Sequence, residues 1–221
     1  MIKDAHEDKD ICAKCGGMCC KKSGCDYSAE DFNSTKFNYL LDLLKTKNIS
    51  IVSFADFCTL NNGQLVNRPF LYIRARNQGR GPVDLFSFKT VCSNLTDTGC
   101  SLSSEDRPSG GKNLIPSKDH ACEPAVNPFE IVSTWKPHQD TLRKLVKTLT
   151  GKSVEKIWQE DAEELFVKVL QEDFRGVSPI ELKDIAGMLP CLYRVYPDAY
   201  ERARARVSRM PFSINMPDKK R

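Results

Sequence analysis

Residues 12–25 read CAKCGGMCCKKSGC, five cysteines in fourteen positions, two of them adjacent. Thiols at this density must be bridged, buried or ligated, and each outcome fixes the local backbone differently. A chain of 221 residues can build a sizeable core and does not need disulfides merely to fold. With 40% hydrophobic and 28% charged residues it has a globular composition, and no apolar run approaches the ~20 residues of a membrane span. The amino terminus, MIKDAHEDKD, lacks the apolar stretch of a secretory signal, so a soluble, cytoplasmic protein is expected. In that reducing compartment ten cysteines read as thiolate ligands or reactive groups rather than as a disulfide framework.

Cys12 and Cys15 have the C-x2-C spacing that turns two sulfurs toward one point. Gly16 and Gly17 follow directly and allow positive φ angles that bring amide N–H groups close to sulfur. Adjacent side chains diverge, so Cys19 and Cys20 suggest two neighbouring metal sites, or one cluster and a second site, with Cys25 five residues on. Four thiolates around Zn(II) or an oxidised four-iron cluster leave a net charge near −2, which Lys14, Lys21 and Lys22 are placed to offset.

Behind the cluster, Ser28 and Asp31 have capping-box character. STKFNYLLDLLKTKN then puts Phe37, Leu40, Leu41 and Leu44 on one helical face. ISIV, RPFLYIRAR and PVDLFSF read as extended segments, the last two forming a hairpin around NQGRG. VCSNLTDTGCSLSSEDRPSGGKNLIPSKDHACEP is rich in Ser, Gly, Pro and Asp, a long loop whose three cysteines offer a clamp. From about Asn127 the pattern is helical: one segment ends at Gly151 and another opens at Ser153. A third has Ser178 as N-cap with Pro179 and Glu181 in its first turn, and the last starts near Pro197. The expected architecture is α+β, mainly α. Metal-stapled cysteine-rich loops and a small hairpin (residues 1–126) pack as one domain on a helical region (127–221) with a basic tail.

The pattern of cysteines resembles the YkgJ-like cysteine-cluster family, a zinc- or iron-chelating domain with a C-x2-C-x2-CC-like opening and a later C…L…GC…L…RP segment. Here the opening is CAKCGGMCC, and CSNLTDTGCSLSSEDRPSGG supplies Cys92, Leu95, Gly99, Cys100, Leu102, Arg107 and Pro108. The resemblance spans roughly Cys12 to Cys122. The chain departs from the family in having three residues before the paired cysteines, and in having Gly110 and Gly111 where a further cysteine often follows the RP pair. Cys122 is the candidate substitute.

Cys58 and Cys191 stand alone in the apolar stretches FADFCTL and MLPCLY and read as buried structural cysteines. Eight remain as metal ligands: Cys12, Cys15, Cys19, Cys20, Cys25, Cys92, Cys100 and Cys122, enough for two four-thiolate sites, and equally for fewer metals with an open position or one spare reactive thiol. His120 is a possible mixed ligand; His138 and His6 are weaker candidates. Arg107 can donate to sulfur or to a substrate carboxylate.

The net charge of +4 is terminal: from Glu201 to Arg221 seven Lys/Arg against two acids leave +5 on the tail and −1 elsewhere. With no aromatic run beside it, this tail reads as a solvated helix face, and a nucleic-acid partner is not expected. Phosphate-binding, zincin and nucleophile-elbow motifs are absent from the sequence. Flagellin lysine N-methylases carry related cysteine segments, but nothing here reads as a methyl-donor domain. Two functions are consistent with the sequence. One is a metal-binding accessory module acting through a protein partner, with iron or an iron-sulfur cluster slightly preferred over zinc. The other is an iron or iron-sulfur enzyme modifying a protein, peptide or small metabolite.

Overall fold

Apolar spacing in the second half of the chain sets the frame on which the cysteine segments hang. The computed structural model describes residues 9–17, 20–21, 24–87, 91–97, 99–118, 122–174 and 179–209. It is α+β, with about 48% helix and 17% strand.

Helix α1 covers Lys9–Cys15, and α2, Phe37–Thr46, buries Leu40 and Leu44 while half-burying Phe37 and Leu41. Strands β1 (Ile49–Phe54), β2 (Phe57–Thr59), β3 (Leu65–Asn67) and β4 (Phe70–Ala75) follow. Among its described residues the long loop contains two-residue strands, β5 (Leu95–Thr96), β6 (Gly99–Cys100), β7 (Leu114–Ile115) and β8 (Glu123–Pro124), and a one-turn helix α3 (Ser109–Lys112). Beyond it come α4 (Pro128–Ser133), α5 (Gln139–Thr150), α6 (Val154–Leu170), α7 (Pro179–Val195) and α8 (Pro197–Ser208).

The expected helix boundaries hold. Helix α5 ends on Gly151, which takes the left-handed conformation (φ 72°) that a side chain would resist. Ser153 caps α6 by accepting from the Lys156 amide. The capping box expected at Ser178, and the tail beyond Arg209, lie outside the described residues. Among those described, no helix is long and apolar enough to cross a membrane.

One continuous core joins the two expected regions. Leu40, Leu44, Ile51, Leu71 and Ile73 pack in the same cluster as Leu142, Leu145, Trp158, Phe166 and Leu192. Each such side chain, fully buried, contributes ~1.5–3 kcal/mol relative to exposure. Both tryptophans also satisfy their indole donors across the layers: Trp158 Nε1 donates to Ser53 Oγ (2.9 Å) and Trp135 Nε1 to the Tyr27 carbonyl (2.7 Å).

The hairpin expected around NQGRG does not form. Strand β4 pairs antiparallel with β1, from Ile49↔Ala75 to Phe54↔Phe70. Its other edge is already occupied. Gln139 brackets Leu71, accepting from its N–H (2.9 Å) and donating to its carbonyl (2.7 Å). Farther along, the Ile73 carbonyl and Ala75 N–H bond to the Tyr27 N–H and Cys25 carbonyl. The segment after NQGRG therefore returns along β1, parallel to it: Ile51 N–H donates to Pro82 O and Asp84 N–H to Ile51 O. Small hairpins form elsewhere, β2–β3 turning at Gly63 and β5–β6 within the long loop.

Candidate functional site

Beyond Ile73 the strand β4 and the residues after it act as a spine for the cysteine segments. On one side Tyr27 N–H donates to Ile73 O and Ala75 N–H to Cys25 O, both 2.9 Å. Farther on, Ser93 N–H donates to Arg76 O (2.8 Å) and Gln78 N–H to Val91 O (2.7 Å). The two cysteine segments then meet directly, Cys92 N–H donating to Cys20 O at 2.8 Å. Asn77, 2% exposed, completes the junction: its Oδ1 accepts from Gly24 N–H (2.9 Å) and its Nδ2 donates to Ser87 Oγ (3.0 Å). Position 24 admits no side chain, since a Cβ there would stand 1.9 Å from the Ala75 carbonyl oxygen.

The RPSGG stretch docks on the same place. Pro108 precedes α3, and Gly110 N–H donates to Asp26 O (2.9 Å) so closely that a Cβ at 110 would lie 2.8 Å from that oxygen. Asp31 closes the expected capping box with Ser28 around a 3₁₀ turn and also accepts from Ser109 Oγ (2.6 Å) and N–H (2.9 Å). Asp26 in turn pairs with Arg74 (Nε to Oδ1 2.7 Å), whose guanidinium also donates to the Tyr72 hydroxyl (3.0 Å).

These segments enclose a cavity of about 50 Å³ whose wall carries Cys20, Cys25, Cys92 and Cys100 together with Asn94, Leu102 and Arg107. Cys20 and Cys92 are buried, Cys25 and Cys100 half-buried. A hydrogen bond from Cys20 holds the Cys100 thiol at about 6, well below its ordinary value and against the opposing effect of burial; the Leu102 amide and the Arg107 guanidinium lower it further. Burial raises the Tyr27 hydroxyl, as do the negative charges of Asp31, Cys92, Cys25 and Cys100 close by. Burial alone would lower Arg74, but Tyr72, Asp26 and Cys25 nearby raise it, so it stays charged.

Four of the eight cysteines expected as ligands thus line one space, two from each end of a stretch of about seventy residues. Cys15 is half-buried at the end of α1, which packs against β6 and so beside Cys100. Cys122 is half-buried just before β8 and is not part of the cavity wall. Cys19, the side chain of Cys12, His6 and His120 lie outside the described residues. His138 packs edge-on against Trp135, centroids 5.9 Å apart, in a structural contact. Cys58 and Cys191 are half-buried, not fully enclosed as expected, because β2 and α7 turn those positions toward the rim of the core. Lys21, expected to offset thiolate charge, places its Nζ 3.5 Å from where a Cβ on Gly16 would sit.

The donor set is chemically suited to a soft or borderline metal: four sulfurs, one of them with a lowered pKa, and a cation to offset their charge. The hydrogen bonds given above join the segments, and among the described residues no three Cys, His, Asp or Glu side chains stand close enough to enclose an ion. Asn94 and Asn77 carry no metal-ligand motif of their own in the sequence. Their signal was local: Asn94 lies two residues after Cys92, and Asn77 opens NQGRG.

The chain matches no family model, no curated protein and no solved structure.

Proposed function

We propose that the cysteine cavity is a metal site and that the protein is a cytoplasmic metal-binding accessory module with a protein partner. The observation that carries this reading is the convergence of Cys20 and Cys25 with Cys92 and Cys100 on one cavity wall beside Arg107. A disulfide framework would use such thiols in pairs; a shared cavity with a neighbouring guanidinium suits thiolates held together by a cation. The volume of about 50 Å³ suits a single zinc or iron ion better than a cube of four irons and four sulfurs. Ion binding draws the quartet inward, while Cys12, Cys15, Cys19 and Cys122 remain for a second site. The likeness to the cysteine-cluster family points the same way and rests on its quoted residues alone.

The second reading is an iron or iron-sulfur enzyme. It is favoured by Asn94, a polar side chain in a wall that a purely structural thiolate site would not require.

Anaerobic purification followed by elemental analysis and an absorption spectrum tests the proposal. About one zinc or iron per chain is expected from the cavity, and about two if the second site fills. Cys100→Ser lowers the metal content by about one ion; Cys58→Ser and Cys191→Ser leave it unchanged and cost at most about 1 kcal/mol of stability. Broad visible absorption with several irons per chain selects a cluster. Folded, metal-free protein whose cavity cysteines all react freely with a thiol reagent sinks the metal reading.

A further inference from the structure

Another cavity, of about 170 Å³, shares no residue with the cysteine site. Helix α6 builds one wall with Asp161, Leu165 and Lys168, which stand at i, i+4 and i+7 on one helical face. The segment that returns along β1 builds another, positioned by the bond from Asp84 N–H to Ile51 O (2.9 Å), and contributes Arg80, Asp84 and Phe86. Phe174 and Ile185 of α7 complete the lining. Leu165 and Ile185 are buried and the two phenylalanines half-buried, so apolar and aromatic surface lies beside the carboxylates.

The charges around this space are not evenly met. Glu164, also in the lining, is paired with Arg206 of α8. Arg80 is 47% exposed and reaches Asp84 only at 4.0 Å, the outer limit of an ion pair. The Asp161 carboxylate makes no hydrogen bond or ion pair among the described residues. Burial raises its pKa, and Asp84 and Glu160 add to the rise against Arg80 and Lys152, so the field at this carboxylate is negative. Lys168 stands two turns farther along α6, about 10 Å down the axis.

We infer that this cavity binds a small organic ammonium ion, its charged head held by Asp84 and Asp161 and its carbon atoms by Phe86, Leu165 and Ile185. The ligand takes the place of Arg80 beside Asp84. An anion meets three carboxylates, and an apolar ligand gains nothing from them. A bare metal ion gains nothing from the leucine and isoleucine. An alkylammonium uses both kinds of wall, and its head is attracted to aromatic rings as well as to carboxylates. The space suffices, since a cavity of about 150 Å³ already takes a benzene. Such a head comes either from a free amine or from the lysine side chain of a peptide, and the inference does not depend on the metal reading.

The test uses the full chain, reduced. The δ-methyl resonance of Ile185, identified by its loss in Ile185→Val, is followed while n-butylammonium chloride is added. Sodium chloride at equal ionic strength and sodium butyrate are the controls. A saturable shift with butylammonium alone is expected, with affinity lowered at least about tenfold in Asp161→Asn and in Asp84→Asn, the worth of one charge-assisted hydrogen bond. Arg80→Gln is expected to raise the affinity several-fold, because it removes the competing cation; mere disturbance of the cavity would not act with opposite sign at the two charges. Tighter binding of N-acetyl-lysine methylamide than of butylammonium identifies a peptide lysine as the source, and equal or weaker binding identifies a free amine. A resonance that stays still overturns the inference, as does one that moves equally with sodium chloride or more with butyrate. Unchanged affinity in both aspartate variants, or weaker binding in Arg80→Gln, overturns it too.

Discussion

The helical half and the cysteine half of this molecule are held by different forces. In α5, α6 and α7 the cohesion is apolar: Leu142, Leu145, Trp158, Phe166 and Leu192 are all at or below 2% exposure and pack in one cluster. Around the cavity the buried apolar cluster among the described residues is just Cys20, Ala75 and Cys92, with Tyr27 and Leu95 against them. That layer depends instead on directional bonds, Cys92 to Cys20, Gly24 to Asn77, Gly110 to Asp26 and Ser109 to Asp31. Apolar burial is non-directional and tolerates volume-conserving exchange. A hydrogen-bonded layer fails when one partner is lost or one Cβ is added.

The largest effect is expected from truncation in the apolar half. Phe166 stacks on Tyr193 (centroids 4.8 Å) and meets Tyr200 edge-on (5.6 Å), fully buried. Phe166→Ala should cost about 3–5 kcal/mol in urea or thermal unfolding. Because β1 and β4 share its core, the cysteine layer should unfold in the same transition. A separate, unshifted transition for the cysteine layer would break the comparison from one side.

A smaller and more local effect is expected from Asn77→Ala, which removes the acceptor of the Gly24 amide and the donor to Ser87. The cost is about 2 kcal/mol, for a buried donor left without a partner. Hydrogen exchange should rise in residues 24–27 and 91–95 while the amides of α5 to α8 keep their protection. Equal loss of protection in the helices would show that the cavity layer is not a separate unit of stability.

This difference in forces also explains what the sequence disclosed. Helix α6 was legible because Val154, Trp158, Leu165 and Phe166 recur at helical spacing behind a serine cap, a signal carried within one segment. The capping box of Ser28 and Asp31 was legible for the same reason, but the second use of Asp31, holding Ser109 seventy-eight residues away, was not. The hairpin partner was not legible because strand pattern does not say which edge is free, and Gln139 and the Cys25–Tyr27 segment fill that of β4. For the candidate site, cysteine identity and spacing suggest the candidate ligands, whereas Asn77 matters through partners, Gly24 and Ser87, that only the folded chain brings together.

The smallest effect tests a charged recess in the apolar half. Asp161 on α6 lines a cavity of about 170 Å³ with Arg80, Asp84 and Lys168. Burial raises its carboxyl from 3.8 to about 6, and the neighbouring charges of Asp84 and Glu160 add to the shift, outweighing Arg80 and Lys152. A carboxyl whose folded value lies above its unfolded one favours the folded state in its protonated form. That contribution is full below about pH 4 and is lost as pH rises through about 6. Asp161→Asn should therefore be more stable than the parent at pH 7.5 by about 1 kcal/mol, a figure reduced from the full shift because the group is partly exposed, and the gain should vanish near pH 4. Urea midpoints of both proteins at the two pH values measure this. A gain that persists undiminished at pH 4 would mean that shape and not charge limits the site, and the recess would then belong with the apolar packing around it.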